Sequence, residues 1–220
     1  MPTRRLYDDE LKDLSSALIK MGSTAIDAVT RSMQALKTFD KVLAKEIIED
    51  DANINSMERD IETMCLKMIL KQQPVASDLR KISTAIKMIT DIERIGDAAS
   101  DIAEISMYHD ECAFPELQEE VLKMAVSAKE MVASAIEAYV KGDLQLARQT
   151  MEKDDIVDDY FNKIRHELGS NIYKDTMNME TVIDYLMIVK YLERIGDHAV
   201  NICEWVQFYI TGIHINERII

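Results

Sequence analysis

The chain has 220 residues, room for one or two ordinary domains, and only 6 glycines and 3 prolines with which to turn. Aromatic residues make up 6%, methionine numbers 14, and Ala, Leu, Ile, Glu and Lys are abundant, a composition that loses little in a helix. The formal charge of −14 repels a phosphate backbone at long range, which excludes general nucleic-acid binding and favours a cationic partner.

The breaks fall at Phe39-Asp40, Gln73-Pro74, Phe114-Pro115, Lys141-Gly142-Asp143 and near Asn178. They predict helices over residues 4–37, 41–72, 76–109, 116–141, 144–174 and 179–211, hence an all-α fold. At 1.5 Å per residue each would be about 45 Å long, as in an extended bundle. Apolar lines such as Leu79, Ile82, Ile86, Ile89 and Val182, Leu186, Val189 keep one side of a helix inward. Cys65, Cys112 and Cys203 form no CxxC and read as packing residues in a reducing compartment, and the inner methionines read as core filler. The polar start and the lack of any run of about 18 uncharged apolar residues lead to the expectation of a soluble, cytoplasmic chain without a transmembrane segment.

The chain repeats itself. Residues 92–104, IERIGDAASDIAE, lie over 192–204, LERIGDHAVNICE, at an offset of 100. Residues 51–55, DANIN, lie over 154–158, DDIVD, and residues 40–44 over 143–147, both at an offset of 103. One three-helix unit is duplicated, giving six long helices in two tandem bundles, residues 1–112 and 113–220.

Glu93 and Asp97 stand one turn apart on the third predicted helix, with Asp101 a turn further on; Glu193, Asp197 and Asn201 copy them on the sixth. The apolar lines run straight into Glu93 and Glu193, so these acids interrupt an inward stripe. Asp51 and Glu58 do the same on the second helix and Asp154 on the fifth. An inward carboxylate needs a cation, a donor or a proton. Oxygen ligands from facing helices suit hard multivalent ions, and Gly96 and Gly196 would let a neighbouring helix come close.

Two other readings stay open: a salt-bridge network supplied by Arg94, Arg194, Lys87, Arg80 and Lys190, and an acidic protein-binding face. Arg94 and Arg194 follow their glutamates directly and should point about 100° away from them. A carboxylate-bridged iron protein of the ferritin type would need Glu-x-x-His, and the residues three before the histidines are Ser106, Lys163, Ile195 and Thr211. No phosphate-cradling loop or hydrolase motif is present, so no catalytic residue is assigned. His198 has Ala98 as its counterpart and reads as a surface or interhelical residue, and His109 as a solvated or helix-end one.

Both copies of Glu-Arg-Ile-Gly-Asp, residues 73–80 (QPVASDLR) and the pattern Asp51-x-x-Ile-Asn-x-x-Glu58 resemble the PhoU family of phosphate-uptake regulators, over essentially the whole chain. The resemblance implies two side-by-side three-helix bundles, often dimeric, in a cytoplasmic, non-enzymatic protein that restrains phosphate uptake and the phosphate-starvation response. It implies two partners, the ATPase of a high-affinity phosphate transporter and a membrane sensor histidine kinase. It also implies metal ions (iron, manganese, zinc or magnesium) held by E(D)xxxD motifs. Carried over, these fall on Glu93, Asp97 and Asp101 with Asp51 and Asn55, and on Glu193, Asp197 and Asn201 with Asp154 and Asp158. Asn55 departs from the strict motif and implies a weaker first site. A metal-free helical scaffold for another transporter is the alternative reading.

Overall fold

In the computed structural model residues 2–72, 74–172, 179–214 and 217–218 are described. Their helices are α1 (Pro2–Thr38), α2 (Lys41–Gln72), α3 (Ala76–Ser106), α4 (Gln118–Lys141), α5 (Leu144–Glu152), α6 (Asp154–Ile172) and α7 (Met179–Thr211). A short antiparallel pair follows, β1 (Ile213–His214) with β2 (Glu217–Arg218), which periodicity did not foretell.

Local chemistry explains the first break in each half. Asp40 accepts from the backbone N–H groups of Val42 and Leu43 at 3.0 Å, and Asp143 accepts from that of Leu146 at 2.9 Å, so each caps the helix that follows. The residue before each cap is left-handed, Phe39 at φ 57° and Gly142 at φ 65°.

The predicted fifth helix divides at Lys153, a difference with a local cause. The buried Thr150 hydroxyl donates to the Leu146 carbonyl at 2.8 Å, and the Lys153 N–H folds back onto the Thr150 carbonyl at 3.1 Å, tightening the turn. The end of that prediction, residues 173–174, lies outside the described residues. α3 stops at Ser106, three residues short of the predicted end, in a turn that leads to the buried His109.

α3 and α7 run antiparallel through the centre of the molecule. Arg80 Nε donates to the Tyr209 carbonyl and Thr84 Oγ1 to the Trp205 carbonyl, each at 3.2 Å, joining the start of α3 to the end of α7. At the opposite end His109 Nε2 lies 3.2 Å from Asp184. Ile82, Ile89, Ile92 and Ile95 of α3 and Ile188, Leu192, Ile195 and Ile202 of α7 belong to one apolar cluster that continues into both halves. Cys65 and Cys203 are buried in it, and burial pushes both thiols up to about 12.

Candidate functional site

Two acidic grooves flank the central helix pair. In the first, between α2 and α3, Gly96 admits α2 so closely that a side-chain carbon there would lie 2.7 Å from Ile54 Cδ1 and 3.6 Å from Asp51 Oδ1. Asn55 Nδ2 donates to Asp51 Oδ2 at 2.9 Å. The other oxygens, Asp51 Oδ1 and Asn55 Oδ1, are buried with no hydrogen-bond donor among the described residues. Burial raises the Asp51 carboxyl above its ordinary range, and Asp97 and Asp101 add to this against the bond from Asn55. Burial and Asp97 raise Glu93 likewise, Arg94 opposing. Glu58 accepts from Thr90 Oγ1 at 3.2 Å across the groove.

A cavity of about 220 Å³ opens behind Asp51, lined by Thr24, Asp27, Arg31 and Asp50 among others. Ala28 on its wall is replaced 103 residues later by the fully buried Met131.

The second groove, between α6 and α7, repeats the frame. A side-chain carbon on Gly196 would lie 3.1 Å from Asp154 Oδ1 and 3.3 Å from Val157 Cγ1. Burial lifts Asp154 to about 6, with Asp158, Asp197 and Glu193 pressing the same way. Asp197 is also raised, by burial and by Glu193, with Lys190 opposing.

Counter-charge comes from within the chain. Arg94 reaches Glu93 at 3.4 Å and Asp97 at 3.0 Å, which overturns the expectation that the arginine points away from its glutamate: its long stem lets the guanidinium reach both the residue before it and the one three ahead. Lys190 pairs with Glu193 and lies 5.4 Å over the Phe161 ring.

Asp101 and Asn201 turn instead towards the central helix pair. Burial and then Asp101 raise the Tyr191 hydroxyl, and Asn201 Nδ2 donates to Asp91 Oδ1 at 3.2 Å, where His198 Nδ1 also sits at 2.9 Å. Asp91 and Tyr191 hold equivalent positions in the repeat. Extending the aligned segment by one residue would have exposed them. His198 is interhelical, as one of its two readings has it; His109, expected at a helix end or in solvent, is buried against Tyr185 and Asp184.

As they stand, no three His, Cys, Asp or Glu side chains among the described residues converge tightly enough to hold a metal ion. The donor chemistry nevertheless fits a hard cation. Each groove offers only oxygen ligands, the like charges raise one another, and the first holds two buried oxygens without donors.

The duplicated helical frame is recognisable beyond this chain. The PhoU domain matches residues 18–106 and again 121–206. The chain belongs to the PhoU family. It is 36% identical over 211 residues to the phosphate-specific transport system accessory protein PhoU homolog of Clostridium acetobutylicum, covering 96% of each chain. It is 29% identical over 206 residues to PhoU of Escherichia coli, covering 94% of this chain and 86% of that one. Among solved structures, PhoU from Pseudomonas aeruginosa superposes with a TM-score of 0.88 at 34% identity, over 94% of this chain and all (100%) of that one. The PhoU regulatory protein from Streptococcus pneumoniae also gives 0.88, at 27% identity, over 96% and 100%. Among the described residues of this PhoU member no helix is long and apolar enough to cross a membrane.

Proposed function

We propose that this PhoU chain is an accessory protein of a phosphate transporter that restrains uptake and the phosphate-starvation response when phosphate is plentiful. It would do so in the cytoplasm, as a homodimer, by contacting the transporter's ATPase and a membrane sensor histidine kinase. The observation that carries this reading is the twofold family match across the chain, with relatives named for phosphate transport. It is tested by deleting the gene in the source organism and measuring phosphate uptake and phosphatase expression in replete medium. Derepression reversed by the intact gene is expected; unchanged uptake and expression, with no paralogue present, would sink it.

The acidic grooves are given a second role within this function. Glu93, Asp97, Asp51 and Asn55 in one groove and Glu193, Asp197, Asp154 and Asp158 in the other would each take an iron, manganese, zinc or magnesium ion; Asp101 and Asn201 would steady their edges. A cation would supply the counter-charge that Arg94 and Lys190 now supply. Such an ion can favour the quiet complex only if it binds that complex better than the free chain. What supports this is the pair of buried oxygens without donors, Asp51 Oδ1 and Asn55 Oδ1.

A metal-free scaffold is the second reading, favoured by the pairing of Glu93 with Arg94 and of Glu193 with Lys190. Chelation separates the two. A melting temperature that falls on metal removal and recovers with Mn²⁺ supports the ion, since a ligand specific for the folded state stabilises it. An unchanged melting temperature and partner affinity supports the scaffold.

A further inference from the structure

An apolar strip on the outer side of α7 is exposed and has no partner among the described residues. Met179, Ile183 and Met187 recur at every fourth residue and are 52%, 51% and 38% exposed; Tyr108, just beyond α3, is 73% exposed. The contact of His109 with Asp184 sets these two ends side by side, and the exposed Tyr108 and Ile183 are the neighbours in sequence of that pair.

The duplication supplies an internal control. One hundred residues earlier, Ile183 and Met187 become Ser83 and Lys87, and one hundred residues later Ile105 becomes Trp205. At that end Lys87 lies 5.6 Å over the Trp205 ring, and His214 of β1 stacks on the same ring at 4.0 Å. The counterpart of His214 is Phe114, which turns inward instead, fully buried with its ring 4.8 Å from that of Tyr185. Among the described residues, therefore, one end of the central helix pair is covered by the chain itself and the other is left bare.

The borders of the bare end are acidic. Asp101 and Glu104 stand on α3, Asp184 on α7, and Asp110 and Glu111 just past α3. Among the described residues Lys41 pairs with Asp110 at 2.7 Å and Lys190 with Glu193. Apolar residues at helical spacing between carboxylates complement a helix with one apolar face and basic edges. The net charge of −14 draws such a segment in and repels an acidic helix or an anionic membrane.

We propose that Met179, Ile183, Met187 and Tyr108 form a docking surface for a basic amphipathic helix of a partner protein. This gives the partner of the accessory role its chemistry, and rests on that role only for the partner's place in the cell. The contact itself needs no metal.

The test uses the full chain and a fluorescein-labelled, amidated peptide of about 18 residues with leucines on one helical face and lysines on its edges. Fluorescence anisotropy should show the peptide binding at least about fivefold more tightly than a scrambled peptide of equal composition. Ile183→Ser combined with Met187→Ser should weaken binding about tenfold, while Leu70→Ser, on another exposed site, leaves it unchanged. These side chains are exposed, and circular dichroism melting checks that the variants fold. Equal binding of the scrambled peptide, or an unaltered affinity of the double variant, overturns the proposal. Sedimentation showing that the double variant turns a dimeric parent into a monomer would assign the strip to a second copy and overturn it too. Gene deletion without derepression would instead remove the accessory role and leave the peptide result standing.

Discussion

The two grooves descend from one repeated unit, yet each neutralises its acids differently. In the first, Arg94 holds Glu93 and Asp97 while Thr90 donates to Glu58. In the second the residue at the position of Thr90 is Lys190, and it takes Glu193. The acids, the central glycine and the arginine recur; the ion pairs that hold the acids do not. The same acid row is thus held by different ion pairs in the two grooves, and an external cation or a basic ligand at either groove would have to displace a different internal partner.

The largest effect expected is on cation affinity. Among the motif residues the second groove has four carboxylates and the first three, Asn55 standing for the fourth and Glu58 being held by Thr90, so Mn²⁺ titrated into stripped protein should meet a tighter and a weaker site. Glu193→Gln with Asp197→Asn should weaken the tighter site about a hundredfold, and Glu93→Gln with Asp97→Asn the other about tenfold. Calorimetry reads both. Equal losses would erase the distinction between the grooves, and no binding by the parent would leave only the scaffold.

Stability should separate the glycines next. In Gly96→Ala the new carbon meets buried Ile54 at 2.7 Å, so overpacking outweighs the helix propensity gained, for a net loss of about 1–2 kcal/mol. In Gly196→Ala the nearest atom, at 3.1 Å, ends a partly exposed aspartate that can swing aside, and the change should stay within about 0.5 kcal/mol. Urea midpoints measure the difference; equal losses would mean that α6 is packed as rigidly as α2.

Asp154 makes the grooves differ with pH. Its folded-state value of about 6 lies above the roughly 3.9 of an unfolded aspartate, so the ionised form is disfavoured in the fold. That penalty is full above about pH 6, shrinks as the pH falls, and is gone below about pH 4. In chelated protein Asp154→Asn should therefore gain about 1 kcal/mol at neutral pH, a figure reduced for solvent screening, and nothing in acid. A gain that is the same at both ends would remove burial of this charge as its cause.

Much of this was legible in the residues. Helix limits followed from Asp40, Pro74, Gly142 and Asp143, because caps and breakers act locally. The acids were legible because they interrupt an apolar line. Their partners were not: whether the Arg94 stem bends back, or Lys190 reaches Glu193, depends on rotamers and on the neighbouring ring of Phe161. The break at Lys153 hid for a similar reason, since a threonine hydroxyl returning to its own helix leaves the periodicity of the flanking residues intact.

The smallest expected effect concerns the turns that open the second helix of each half. A left-handed φ costs a residue with a side chain about 1–2 kcal/mol, a strain that Phe39 bears at 57° and Gly142 avoids at 65°. Gly142→Ala meets nothing closer than the Tyr209 hydroxyl at 3.5 Å, so its cost should be the backbone strain alone, about 1 kcal/mol. Phe39→Gly relieves that strain but gives the unfolded chain more freedom and removes a half-buried ring. These terms nearly cancel, leaving a change within about 0.5 kcal/mol. Thermal melts of the two variants compare them directly. A Phe39→Gly loss as large as that of Gly142→Ala would show that the ring, not the backbone, sets the first turn, and that the two halves have settled the same corner by different means.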